Sequence, residues 1–447
     1  MTDTAPPRQV TFAQALAYWL KLGFISFGGP AGQIAMMHAE LVERRRWISE
    51  QRFLHALNYC MLLPGPEATQ LAVYIGWLMH RTVGGVLAGA LFVLPSLGIL
   101  ILLSWIYLAW GALPVVAALL YGIKPAVVAI VLAAAWRLGR RSLRNGWLIA
   151  IAVAALLAIA VLRLPFPAIV LGAALAGVIG GRLLPDKFRP GGAHGAAALA
   201  SYGPAIIDDA TPTPAHARFS WRRLAAALGV GIVLGLAVWI ALALLYGRGS
   251  PLAQMGWFFT KAAMLTFGGA YAVLPYVYQG GVETYQWLSA TQMIDGLALG
   301  ETTPGPLIMI VAFVGFVGGW TKMLFGPDHL LLAGATAACV TAFFTFLPSF
   351  IFILAGGPLV ESTRGNIRLT APLTAISAAV VGVVVSLALF FAWHVFRLAA
   401  PPAQWDWAAI GISAVASLAL LRYKAGTIKL ILASAAAGLV VSYLRQA

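Results

Sequence analysis

The chain has 447 residues, of which 61% are hydrophobic and only 10% charged, and its mean hydropathy is +0.89. A soluble domain carries about 25% charged residues, so the composition excludes a soluble globular protein and makes lipid the main solvent. The formal net charge of +15 would suit nucleic acid, but the basic residues sit in short clusters between apolar runs, where membrane proteins keep cytoplasmic positive charge, and nucleic acid is rejected as a partner.

Residues 1–10 are polar and contain proline, with no basic stretch leading into an apolar one, so no cleavable signal peptide is expected. Between 11 and 40 an apolar stretch is interrupted at Phe27-Gly28-Gly29-Pro30, and between 50 and 80 a second is interrupted at Pro64-Gly65-Pro66. Trp47-Ile48-Ser49 separates them, and Ser49 reads as a helix N-cap. Residues 50–63 are too few to cross a bilayer, which takes about 20. Broken backbone in lipid is tolerated only where it packs in protein or lines a wet cavity, so both stretches are expected to be discontinuous or re-entrant helices. Longer apolar segments follow at 82–110, 113–136, 146–162 and 167–184. A polar linker, 185–221, is rich in Ala, Pro and Gly, lacks apolar periodicity and is expected to be flexible. A further apolar segment, 222–247, reads as a linking transmembrane helix.

The remainder, 251–445, repeats 11–184. Lys21 to Gly29 superposes on Lys261 to Gly269 at an offset of 240, and the same offset places Glu43 on Glu283, Trp47 on Trp287, Ser49 on Ser289 and Pro64-Gly65-Pro66 on Pro304-Gly305-Pro306. After an insertion around 326–329 the offset becomes 253, matching Leu94-Pro95-Ser96 with Leu347-Pro348-Ser349. If each copy crosses an even number of times, the single linking helix turns the second upside down. The charges agree with inversion. Arg44-Arg45-Arg46 and Arg137, Arg140, Arg141 and Arg144 crowd two loops of the first copy, whose second-copy counterparts hold Glu283 and only Arg397. The uncharged turn near 111–114 is answered by Arg364 and Arg368, and the Arg163 turn by Arg422, Lys424 and Lys429. The expected fold is therefore an all-α polytopic membrane protein made of two inverted structural repeats with broken or re-entrant helices, with the N-terminus in the cytoplasm. Inverted repeats mark secondary transporters, which bind substrate near the midplane between the repeats.

The breaks carry the expected chemistry. Gly29 with Pro30, and Gly65 with Pro66, put Gly at an N-cap and Pro at the first helical position; Gly305 with Pro306 does the same, and Gly269 with Ala270 less closely. Each helix start offers free N–H groups and roughly half a positive charge. Four such starts facing one cavity would add up to about +2 and suit a tetrahedral dianion. The substrate-binding candidates are thus Phe27, Gly28, Gly29, Gln33, Pro64, Gly65, Pro66 and Gln70 in the first copy, with Phe267, Gly268, Gly269, Thr302, Thr303, Pro304, Gly305 and Pro306 in the second. Close helix packing is the plainer use of such glycines. Ionisable residues inside apolar segments are costly and usually functional. Lys21, Lys261 and Lys124 are electrostatic candidates, and Glu67 and Glu301 are candidates for proton coupling. Snorkelling to an interface is the simpler role for the first two lysines. A carboxylate stabilising its own helix dipole is the simpler role for Glu67, and a hydrogen bond to a neighbouring helix for Glu301. Cys60 and Cys339 lie inside apolar segments, so neither a disulfide nor a cysteine metal site is expected. HExxH, GxSxG and Walker A motifs are absent, and Asp295 and Glu301 are spaced six apart, off a common helix face. No enzyme, cofactor or metal is expected.

Phe27-Gly28-Gly29-Pro30 with Gln33, Arg46-Trp47 before Ser49, Pro64-Gly65-Pro66-Glu67-Ala68 with Gln70, and Leu94-Pro95-Ser96 together resemble the chromate ion transporter family. Thr266-Phe267-Gly268-Gly269 and Thr302-Thr303-Pro304-Gly305-Pro306 resemble the second half of its long, two-domain members. The resemblance covers nearly the whole chain apart from the linker and tail. It implies chromate export from the cytoplasm across a bacterial inner membrane, driven by the membrane potential or a proton gradient, with sulfate as a related anion. Expected partners are a chromate or sulfate oxyanion and the lipid bilayer, and a homodimer is compatible with this reading. The alternatives are a sulfate importer or exchanger and, from another class, a membrane-embedded enzyme or assembly factor. Repeat symmetry is imperfect, because Ala270 stands where Pro30 does and Leu307 answers Glu67.

Overall fold

In the computed structural model, which describes residues 9–27, 29–111, 113–188, 202–267, 269–362, 370–397 and 404–446, the first copy folds into seven helices. They are α1 (Phe12–Ile25), α2 (Gly29–His38), α3 (Glu50–Cys60), α4 (Glu67–Trp110), α5 (Pro114–Ser142), α6 (Gly146–Ala160) and α7 (Phe166–Leu183). Helix α8 (Trp221–Tyr246) leads to the second copy: α9 (Pro251–Met264), α10 (Ala270–Tyr278), α11 (Ala290–Thr302), α12 (Ile310–Thr321), α13 (Leu330–Ser362), α14 (Thr370–Phe396), α15 (Trp407–Leu421) and α16 (Thr427–Gln446). No strand occurs among the described residues. Seven helices among them, α4, α5, α7, α8, α13, α14 and α16, are long and apolar enough to cross a membrane, so the chain is a multi-pass membrane protein.

Duplication extends to the backbone. The π-helical turn Ala39–Arg44 is matched by Gln279–Thr284, again 240 residues on. Left-handed backbone falls in pairs at the same offset: Gly29 (φ 69°) with Gly269 (φ 101°), Arg46 (φ 51°) with Gln286 (φ 50°), and Gly65 (φ 120°) with Gly305 (φ 99°). The Ser49 and Ser289 side chains cap α3 and α11, accepting from the N–H groups of Arg52 and Gln292. One difference separates the copies. α4 continues through a kink at His80 and Arg81, whereas the chain between α12 and α13 is interrupted and carries the inserted residues 326–329.

Helices α1 and α3 are too short to cross on their own: 14 residues and 11 residues rise about 21 and 17 Å against a hydrocarbon core of about 30 Å. Both pack on α4. The copies interlock. α5 of the first packs against α15 and α16 of the second, and α14 of the second packs against α6 and α7 of the first, with α5 and α14 in mutual contact. Small residues permit the crossings. A Cβ on Gly122 of α5 would lie 2.0 Å from the Ser434 carbonyl oxygen and 2.7 Å from Gly438 Cα on α16. Gly122→Ala is therefore expected to push α5 and α16 apart and cost about 1–3 kcal/mol. Gly229→Ala on α8, facing open space, should instead stabilise by up to about 1 kcal/mol through helix propensity. Thermal melts of the two detergent-solubilised variants should shift in opposite directions.

The linker corrects the expectation of flexibility in its second half; residues 189–201 lie outside the described residues. Residues 202–219 are docked. Ile207 pairs as a bridge with Ile48; its N–H donates to the Trp47 carbonyl at 3.0 Å, and its carbonyl accepts from the Ser49 N–H at 3.0 Å. Buried Arg52 donates to the Thr211 carbonyl at 2.5 Å, and Thr213 donates to Glu361 at the end of α13 at 3.4 Å. Main-chain pairing, to which composition is blind, holds this segment on the first copy, and the Thr213 side chain ties it to the second.

Candidate functional site

Each Pro-Gly-Pro break bonds to the residue just ahead of the other copy's Phe-Gly-Gly break, so the two copies exchange partners. The Gly65 N–H donates to the carbonyl of Thr266 at 2.8 Å, and the Gly305 N–H donates to the carbonyl of Ser26 at 2.9 Å. Each residue aims its N–H into the opposite copy because its φ is positive, a conformation cheap only for glycine. Space enforces the choice. A Cβ on Gly65 would lie 2.3 Å from Ser349 Oγ, and one on Gly305 would lie 2.6 Å from Ser96 Cβ. The repeated Leu-Pro-Ser motif therefore backs the Pro-Gly-Pro of the other copy.

This geometry moves the expected helix starts. Gly65 and Gly305 are not N-caps. Pro66 caps α4, which begins at Glu67, and Pro306 caps a short 3-10 turn, Leu307–Met309, ahead of α12. The N–H groups of Gly65 and Gly305 are thus engaged across the interface, and the open donors at these starts belong to the following residues. Helix α2 starts at Gly29 itself, and Gly269 is the N-cap of α10, as expected. Gly28 and Gly268 lie outside the described residues.

Polar side chains gather at the exchange. Gln33, fully buried, donates through Nε2 to the Gly305 carbonyl at 2.5 Å and to that of Ser26 at 3.3 Å. Gln70, also fully buried, donates to the Pro64 carbonyl at 2.7 Å and to Ser349 Oγ at 3.4 Å. The Oε1 atoms of both glutamines and the hydroxyls of Ser26, Thr69 and Ser96 are buried with no hydrogen-bond partner among the described residues. Thr302 and Thr303 have spent their protons on the carbonyls of Leu299 (2.8 Å) and Gly300 (2.9 Å). Phe27 and Phe267 are half-buried beside the breaks, and Pro304, Gly305 and Pro306 are sealed, whereas Pro64 and Glu67 remain partly open.

The last turns of α5 serve both acidic candidates. Arg141 reaches Met61 Sδ at 3.7 Å and acts electrostatically on Glu67. Arg137, one turn earlier on the same face, acts on Glu301, which accepts a hydrogen bond from Tyr271. Lys124, further up α5, pairs with Asp295 of α11 at 3.5 Å, and Tyr107 donates to the other carboxylate oxygen at 2.9 Å. Lys21 is exposed beside exposed Leu20, Phe24 and Ile25, and Lys261 lies 5.7 Å over the ring of exposed Trp257; such outward positions suit an interfacial role.

The sequence reading did not offer Ser26, Thr69 or Ser96 as site candidates, and it set Asp295 aside on its spacing to Glu301. A hydroxyl stands before Phe-Gly-Gly in both copies, Ser26 and Thr266, and Leu-Pro-Ser occurs twice, so duplication held the signal for two of them. Among the described residues no group of acidic, histidine or cysteine side chains is arranged to hold a metal.

Two interlocked copies with crossed helix breaks around buried polar groups define a membrane transporter architecture. The chain belongs to the chromate transporter family, whose model matches residues 13–178 and again 253–439, one match per copy. A chromate transport protein of Cupriavidus metallidurans is 31% identical over 389 residues, 87% of this chain and 84% of its own. One of Pseudomonas aeruginosa is 35% identical over 384 residues, 86% and 82%. An uncharacterized transporter of Bacillus subtilis is 28% identical over 163 residues, covering 36% of this chain but 90% of its own length, so it is about the size of one copy. No solved structure gives a significant match.

Proposed function

We propose that the chain exports chromate from the cytoplasm across the inner membrane, with sulfate as the related tetrahedral anion, and that the anion binds where the two pairs of breaks exchange partners. The observation that carries this reading is the reciprocal hydrogen bonding of Gly65 with Thr266 and Gly305 with Ser26, beside buried hydroxyls that have no partner among the described residues. Serine and threonine hydroxyls and first-turn N–H groups donate to oxyanions without needing a full counter-charge. Arg137 and Arg141 supply positive potential at the partly open end, where the anion would enter. An exchange contact that belongs equally to both copies suits alternating access, in which inverted repeats rock about a fixed site. Moving a dianion outward gains about 2.3 kcal/mol per charge per 100 mV of inside-negative potential, so the direction needs no further energy source for modest gradients.

Everted vesicles carrying the protein should take up chromate, and sulfate should compete; vesicles without it should not. Absence of chromate flux under an imposed inside-positive potential would remove this reading. Glu67 and Glu301 are our candidates for proton exchange. An ionised Glu67 would repel the dianion, whereas a protonated one donates to it. Glu67→Gln is accordingly expected to bind anion and to flatten the dependence of flux on pH. Profiles of wild type and variant that run parallel would leave Glu67 a structural residue at the start of α4.

A further inference from the structure

Helix α8 is the least embedded of the spanning helices: none of its most apolar window is buried, and its main packing partners are α13 and α9. Contact with α13 is made where side chains are missing. A Cβ on Gly231 would lie 2.3 Å from Ile351 Cγ1, and one on Gly235 would lie 3.0 Å from Leu347. Between α8, α13 and the part of α4 after its kink lies a cavity of about 980 Å³, walled by side chains such as Val86, Leu94, Val230, Leu234, Phe343 and Phe350. Its polar residues are at one end. His216 and Arg223 line it there, and both Arg81 and Arg223 act electrostatically on His216.

Three features identify the occupant. The first is depth. On α8 the lining runs from Arg223 to Leu234, a rise of about 16 Å, which is about half of a hydrocarbon core of about 30 Å. The slot therefore serves one leaflet. The second is charge. Arg223 lines the mouth, Arg81 precedes the lining residue Thr82 and acts electrostatically on His216, Arg222 is next to Arg223 in the chain, and Arg218 is bonded to Arg223 through its carbonyl. All four are exposed and pair with no carboxylate among the described residues. Arg223 gives Nη1 to the carbonyls of Ala215 (2.6 Å) and Arg218 (3.4 Å), which fixes its guanidinium at the mouth with N–H groups to spare. The third is position. These arginines flank the start of α8 and the kink of α4, where Arg81 is held at φ 58°, ψ −162°, a conformation that costs a non-glycine residue about 1–3 kcal/mol and collects at ligand-binding places.

We infer that this slot is a binding site for one anionic phospholipid, its acyl chains lying between α4, α8 and α13 and its phosphate held by Arg81 and Arg223. Basic pockets between transmembrane helices on the cytoplasmic side take such headgroups, and the apolar walls take the chains. The occupied slot would complete the packing of α8, which leads from the linker into the second copy.

The test is independent of transport. The full chain, purified in mild detergent, is titrated with phosphatidylglycerol or phosphatidylcholine of identical chains and examined by native mass spectrometry. Wild type should retain one phosphatidylglycerol and prefer it over phosphatidylcholine by about tenfold or more. Arg81→Gln/Arg222→Gln/Arg223→Gln should lose the preference and still hold either lipid weakly, whereas Arg422→Gln/Lys424→Gln/Lys429→Gln should keep it. Val230→Trp, which fills the slot, should lose both lipids while its thermal melt shows a folded chain. Equal retention of the two lipids by wild type would overturn the inference, as would adducts that survive Val230→Trp. So would a slot closed by a second copy of the chain, seen as a lipid-free dimer that Val230→Trp dissociates.

Discussion

Lys124→Met is expected to destabilise the protein by about 1–3 kcal/mol, the cost of leaving a buried carboxylate without its half-buried partner. Asp295 is 2% exposed, and its partners among the described residues are Lys124 on α5 and Tyr107 on α4. Without Lys124 the carboxylate must carry an uncompensated charge in a low-dielectric setting or take up a proton, and folding suffers in either case. Replacing both partners removes the problem, so Lys124→Met/Asp295→Leu should melt well above Lys124→Met and close to wild type. The double-mutant cycle then yields the coupling between α5 of one copy and α11 of the other. A double variant no more stable than Lys124→Met would show that the pair is not what holds these helices together.

Transport should be nearly abolished by Gly305→Ala while the protein still reaches the membrane. Alanine at φ 99° is strained by about 1–3 kcal/mol, and its Cβ meets Ser96 at 2.6 Å. The chain can relieve both only by moving the break, which misplaces the Gly305 N–H bonded to Ser26 and the carbonyl bonded to Gln33. Misplacement of about 1 Å in a binding constellation commonly costs about a hundredfold in rate. Adding Ser96→Gly removes the collision but not the strain, so partial recovery of flux is expected. Gly65→Ala with Ser349→Gly is the mirror experiment on the other copy. Full activity in Gly305→Ala would detach the exchanged breaks from transport.

Glycine and proline act locally, which is why the breaks at 27–30, 64–66, 267–269 and 304–306 could be read from the chain. The duplication was equally legible, because repeated residues leave a constant offset. Partner exchange was not: Gly65 and Thr266 are brought together by the way α5 and α14 are embraced by the opposite copy, and no periodicity reports that. The same holds for Lys124 and Asp295. Lys124 was visible as a charge in an apolar run, but spacing to Glu301 said nothing of a partner on another helix. Residues 202–219 were misread for a different reason. Their apolar content is low, yet main-chain pairing of Ile207 with residues 47–49 and the grip of Arg52 hold them in place. At the helix starts, the glycine-then-proline pattern was off by one residue because Gly65 and Gly305 use positive φ to face the other copy.

The embrace of α5 by α15 and α16 has a consequence for biosynthesis. When the ribosome has finished the first copy, α5, α6 and α7 are already made, but the surfaces they bury belong to helices still to be translated. The first half waits in the bilayer with Gly122 and its neighbours facing lipid until α16, ending at Gln446, arrives. The buried faces of α5, α6 and α7 are therefore completed only once α14, α15 and α16 have been made.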